Sequence, residues 1–178
     1  TDLRRSNSGA MYLALTSHAL NGDIVTDRAT APRLSLKLAE LFKRQGYQEN
    51  YVDGNFDDYV AIGMGKAPMA FIYENQLVRR ALTQGVGNDM VLMYPVPTII
   101  NKVVFVAMNE RAKALGTALA QDPELQAIAV DYGFRIADSE RFAAKVKPTG
   151  LAIEPRLVHV VDPPSFEIMS EMIDLVAK

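Results

Sequence analysis

The sequence predicts an α/β fold, a three-layer sandwich with helices on both faces of a mixed sheet. Three observations lead there. Stretches with helical apolar spacing alternate with short runs that are almost wholly apolar. Those runs, 68–73 (Pro-Met-Ala-Phe-Ile-Tyr), 90–94 (Met-Val-Leu-Met-Tyr) and 99–108, show the pattern of strands covered on both faces. Gly, Pro, Asn and Asp fall between the segments, where turns and helix ends require them.

The elements follow in order. A first helix is expected from Ser6 to Leu20, stopped by Asn21-Gly22. A second runs from Pro32 to Gln45, with Leu34, Leu38, Leu41 and Phe42 on one stripe and Gly46 past its end. Phe56 to Ile62 reads as a short helix ending at Gly63. The strand 68–73 leads into a helix opened by Glu74-Asn75-Gln76 and reaching Leu82. The strand 90–94 leads into the stiff Pro95-Val96-Pro97-Thr98 segment, and 99–108 is the third strand. Arg111 to Ala120 is a helix, and Asp122-Pro123 caps and starts another that carries Leu125, Ile128, Ala129 and Tyr132 to Gly133. Residues 138–146 form a short helix and 156–161 a short strand. Asp162-Pro163-Pro164-Ser165 starts a last helix with Met169, Met172, Ile173 and Val176 on one face.

Composition narrows the function. The 178 residues are 49% hydrophobic and 22% charged, with a net charge of −2. No basic stripe supports a nucleic-acid partner, and no run of about 18 apolar residues predicts a membrane span. Without cysteine there is no thiolate metal site and no Cys nucleophile. The two histidines, His18 and His159, are not spaced with carboxylates for a triad or a metal centre, so no enzyme, cofactor or metal is expected. Gly63-Met64-Gly65 lacks a third glycine and precedes a strand, unlike a dinucleotide fingerprint. Lys66 reads as a solvated turn residue. The chain opens on a functional-looking turn with no leader, which reads as a piece of a longer protein.

Two segments carry the chemistry. The first is the polar turn holding Arg4, Ser6, Asn7, Ser8 and Gly9, which feeds directly into a helix. A helix start exposes unpaired N–H groups and partial positive charge, so it suits an anion or another acceptor. Ser and Asn are equally common as plain caps, and both readings stand. The second is Tyr73-Glu74, where a strand gives way to a helix. Tyr73 can stack on or hydrogen-bond a ligand. Glu74 either accepts from a cationic or hydroxylated group or complements the helix dipole.

Taken in order, the motifs resemble a known family. Thr-Asp-x-x-x-Ser-x-Ser-Gly opens a helix, Gly63-x-Gly65 precedes Tyr73-Glu74-Asn75-Gln76, Tyr94-Pro95-x-Pro97-Thr98 leads into a strand, and Tyr132-Gly133-Phe134-Arg135 closes a helix pair. This order is similar to the C-terminal portion of type II extracellular solute-binding proteins of ABC importers, in the sulfate/molybdate-like branch, over residues 1 to about 136.

The resemblance implies two lobes clamping a solute in a cleft and handing it to a membrane permease. Residues 1–95 would be the second lobe, and 96–178 the hinge crossover with the returning elements of the first lobe, whose N-terminal part is absent. It carries the cleft role onto Ser6, Asn7, Ser8, Gly9, Tyr73 and Glu74, and the hinge role onto Pro95, Pro97 and Thr98. Asn7 between the serines and Tyr73 before the Glu-Asn pair depart from the oxyanion binders, so a small polar organic solute stands beside an oxyanion. A periplasmic or extracellular location follows, with anchoring through a preceding segment as one form of it. Helices after residue 109 would need their apolar faces covered, and self-association is one way. The alternative is a cytosolic ligand-sensing domain of a transcription regulator on the same fold.

Overall fold

The computed structural model describes residues 2–45, 52–62 and 68–177. Eight α-helices form among them: α1 (Asn7–Asn21), α2 (Thr30–Lys43), α3 (Val52–Ile62), α4 (Glu74–Thr83), α5 (Glu110–Gln121), α6 (Pro123–Asp131), α7 (Ser139–Val146) and α8 (Phe166–Val176). The predicted helices therefore form, shifted by a few residues at their ends. Gly46, Gly63, Gly65 and Lys66 lie outside the described residues.

The predicted sheet does not form, and the α/β sandwich is corrected to a helical architecture. Among the described residues the β pairing is one isolated parallel bridge, Thr98 to Val160. Thr98 N–H donates to the His159 carbonyl at 2.8 Å, and Val161 N–H donates to the Thr98 carbonyl at 2.9 Å. The runs 68–73, 90–94 and 99–108 are neither helix nor strand, and the strand expected over 156–161 shrinks to that bridge. Many of their side chains face solvent: Met69 is 74% exposed, Val91 73% and Val103 87%. An apolar run reports that a segment suits burial. It does not supply the neighbouring strand, which has to come from elsewhere in the chain.

The chain packs as two units. Unit 1 comprises Thr1–Ile72, Pro95–Ile100 and His159–Lys178, and unit 2 comprises Tyr73–Tyr94 and Asn101–Val158. Unit 1 is built on α2 against α8, with α1 touching both. Its core joins Leu13 and Ala14 of α1, Leu38 and Phe42 of α2, and Ile168, Met169, Met172 and Val176 of α8. Leu38 and Phe42 sit one turn apart on the predicted stripe, whereas Leu41 on its flank is 37% exposed. Tyr12 closes the side of this core, its ring 5.4 Å from Phe42 and 5.0 Å from Phe71. Asp27 starts α2 by accepting from the Thr30 N–H at 2.8 Å and the Thr30 hydroxyl at 2.9 Å.

Unit 2 has a smaller core of Val78, Val130, Phe142 and Val146, with Leu82, Ile136, Leu151 and Ile153 around it. α5 and α6 form a hairpin around Asp122, which ends one helix and caps the next by accepting from Glu124 and Leu125 N–H. α5 buries none of its residues. Residues 101–108 reach it through Phe105, whose ring lies against Gly116 closer than a Cβ would allow.

Leu38 is fully buried, whereas Leu36 on the same helix is 79% exposed. Leu38→Ala should cost roughly 2–5 kcal/mol of stability, and Leu36→Ala less than about 0.5 kcal/mol. Urea unfolding followed by circular dichroism checks the contrast.

Candidate functional site

The α1 start is assembled from the first nine residues. The Asp2 carbonyl accepts from Arg5 N–H at 3.3 Å and Ser6 N–H at 3.0 Å, closing a turn that presents Arg4 and Arg5 to solvent. The Asp2 carboxylate also accepts from Arg4 N–H at 2.8 Å. Ser6 is the N-cap of α1 and accepts from Gly9 N–H at a long 3.5 Å. Its hydroxyl meets that of Ser8 at 2.7 Å. Ser8 and Gly9 are buried, while Asn7 is exposed. The first turn of α1 carries no acidic residue, whereas α4 to α8 each carry a glutamate there. The positive end of the α1 dipole is therefore not met by a carboxylate within its own first turn.

In unit 2, Tyr73 is the N-cap of α4. Its N–H donates to Gln76 Oε1 at 3.0 Å, and the Gln76 N–H donates back to the Tyr73 carbonyl at 3.1 Å, a reciprocal lock on the helix start. Glu74 is the first helical residue, and its carboxylate is fully engaged. Arg135 Nε donates to Oε2 and Nη2 to Oε1, both at 2.7 Å, in a two-point guanidinium–carboxylate pair. The Tyr94 hydroxyl donates to Oε1 as well. Arg135 also reaches the Glu154 and Pro155 carbonyls, so four of its N–H donors join a polar knot of four chain segments. The two charged side chains are largely withdrawn from solvent, at 26% exposure for Arg135 and 19% for Glu74.

The electrostatics follow from this packing. Burial raises the Tyr94 pKa well above its ordinary value of 10, and the adjacent Glu74 carboxylate adds to the shift. The hydrogen bonds to Glu74 hold Arg135 more firmly in its charged form. Around the knot, Arg79 lies 4.2 Å over the Tyr132 ring. Gly133, at φ +82°, abuts the Asn75 carbonyl where a Cβ would collide.

The hinge candidates lie in unit 1. Pro95 and Pro97, with a cis Val96–Pro97 bond between them, line a groove of about 300 Å³ with Leu15, His18, Ala19 and Gly22. Thr98 makes the bridge to Val160. Among the described residues no group of three or more His, Asp or Glu side chains is placed to hold a metal ion.

The sequence assigns Glu74 a site role, whereas its partners, Arg135 and Tyr94, appear in the ordered motifs without one. They lie 61 and 20 residues away, beyond any local spacing rule. The local signals were Arg135 two residues past the helix-ending Gly133 and Tyr94 before the Pro-x-Pro segment. Compared with known proteins, the chain matches no protein-family model, no curated protein and no solved structure.

Two outcomes follow for unit 2. Arg135→Ala leaves the Glu74 carboxylate without its cation and should cost roughly 2–3 kcal/mol, read from the urea midpoint. Tyr94 stays protonated when folded, whereas the unfolded residue ionises near its ordinary value of 10. Its contribution is thus fully present below about pH 10 and is lost as pH rises further. Tyr94→Phe should cost about 1 kcal/mol at neutral pH. The gap between the two proteins should narrow as melting is repeated above about pH 10. A gap constant across that range would contradict a neutral Tyr94 bonded to Glu74.

Proposed function

We propose that the chain is the solute-binding component of an ABC-type importer. It holds a small polar or anionic solute at the start of α1 and delivers it to a membrane permease, in the periplasm or outside the cell. The observation that carries this reading is the α1 start. The half-buried Ser6 cap, backed by the buried Ser8 hydroxyl at 2.7 Å, and the exposed Asn7, Arg4 and Arg5 stand at a helix start that has no acidic residue in its first turn. The order of motifs along the sequence supports the importer class. The site needs only fixed donors, since binding and release require no nucleophile and no cofactor.

The Glu74 carboxylate has a different part in this reading. Its oxygens are taken by Arg135 and Tyr94, so it stabilises unit 2 rather than contacting solute.

The test is a thermal-shift screen of the chain against sulfate, phosphate, molybdate, amino acids, sugars and small carboxylates. A solute present at 100 times its Kd should stabilise the chain by about 2.7 kcal/mol. Ser6→Asp separates the cap from the site. Aspartate caps a helix as well as serine, so the variant should melt no lower than the parent. Its carboxylate should abolish the shift produced by an anion. A full shift retained in Ser6→Asp, or no shift with any solute, overturns the proposal.

A further inference from the structure

All the sulfur in this chain is thioether, because it has eight methionines and no cysteine. Among the described residues Met11 and Met90 are half-buried, and five others stand at the two extremes of exposure. Met169 and Met172 lie in the unit 1 core, at 8% and 1% exposure. Met69 in unit 1 and Met93 and Met108 in unit 2 stand in the non-helical segments at 74%, 68% and 85% exposure. None of these three belongs to either buried cluster, so a polar atom added to their sulfur displaces no core packing.

Oxidation of a methionine requires the oxidant to reach the sulfur lone pair. With a peroxide, the sulfur attacks one peroxide oxygen and the O–O bond breaks. The thioether is oxidised to a sulfoxide and the peroxide is reduced to water or the corresponding alcohol, with one oxygen atom transferred and no other reactant needed. Exposure sets which sulfurs react in the folded chain, whereas the buried pair reacts only after the core opens. We propose that Met69, Met93 and Met108 are sites of reversible sulfoxidation by peroxide-class oxidants, modified without unfolding of the chain. The sulfoxide turns an apolar, flexible side chain into a polar one. At Met93 and Met108 it places that polarity within the two apolar segments of unit 2 that lie outside its helices, so oxidation makes those segments more water-compatible.

The experiment treats the folded chain with hydrogen peroxide and follows each methionine by peptide mass spectrometry. Met69, Met93 and Met108 should oxidise at least tenfold faster than Met169 and Met172. In concentrated urea the five rates should converge. Circular dichroism should show the helices intact after the three have reacted, and the two epimer-specific methionine sulfoxide reductases together, with dithiothreitol as reductant, should remove the oxygen as water and return the original mass. The proposal is overturned by equal rates in the folded chain, by loss of helix as the exposed three react, or by sulfoxides that the two reductases leave in place. Met69→Leu, Met93→Leu and Met108→Leu combined should leave the fold unchanged while lowering the fast oxygen uptake by three atoms per chain. A fast uptake that does not fall in that variant also overturns the proposal.

Discussion

One carboxylate, that of Glu74, determines how unit 2 is held together. No sheet ladder forms among the described residues, and in unit 2 side-chain bonds tie segments that are distant in sequence. Glu74 takes bonds from residues 20 and 61 positions further along the chain, and Arg135 extends the connection to the carbonyls at 154 and 155. The α4 start, the end of the 90–94 segment, the turn after α6 and the segment after α7 meet at a single ion pair. A partly buried pair of this kind is stable because nearly every lone pair and N–H has a partner. Removal of one member leaves a charge with little water around it.

Unit 1 is organised by different physics. Apart from the Thr98–Val160 bridge, its long-range packing is apolar, between the Leu38 and Phe42 stripe of α2 and the Ile168, Met169, Met172 and Val176 face of α8. The polar atoms inside it are satisfied locally, as when the buried Ser17 hydroxyl donates to the Ala14 carbonyl at 2.8 Å. Salt links here are peripheral. Arg28 and Glu171 are 3.6 Å apart, with the arginine side chain 75% exposed, and such a pair contributes little.

The sequence displayed the helices well and the sheet badly, for one reason. Helix periodicity, caps and glycine stops are local, so Leu38 with Phe42, Asp122 before Pro123 and Met169 with Met172 could all be read in place. Strand pairing is not local, and runs such as 99–108 carry no record of a partner. The same limit applies to the sites. Ser6 and Ser8 are neighbours in sequence, and the helix start they belong to was legible as capped or ligand-facing, whereas the contact between their hydroxyls is seen only in the folded chain. Glu74 was visible as a polar residue at a helix start, but its engagement by Arg135 and Tyr94 is a property of the folded chain.

The contact between α2 and α8 also governs the timing of assembly. α2 is complete at residue 43, and α8 starts only at residue 166. As the chain leaves the ribosome, the apolar stripe of α2 has only α1 beside it until all of unit 2 has been synthesised. Unit 2 is contributed by two stretches that precede α8, so its elements are available to fold while unit 1 still waits. During that interval the α8-facing side of Leu38 and Phe42 is uncovered, a transient apolar surface of the kind through which incomplete chains associate.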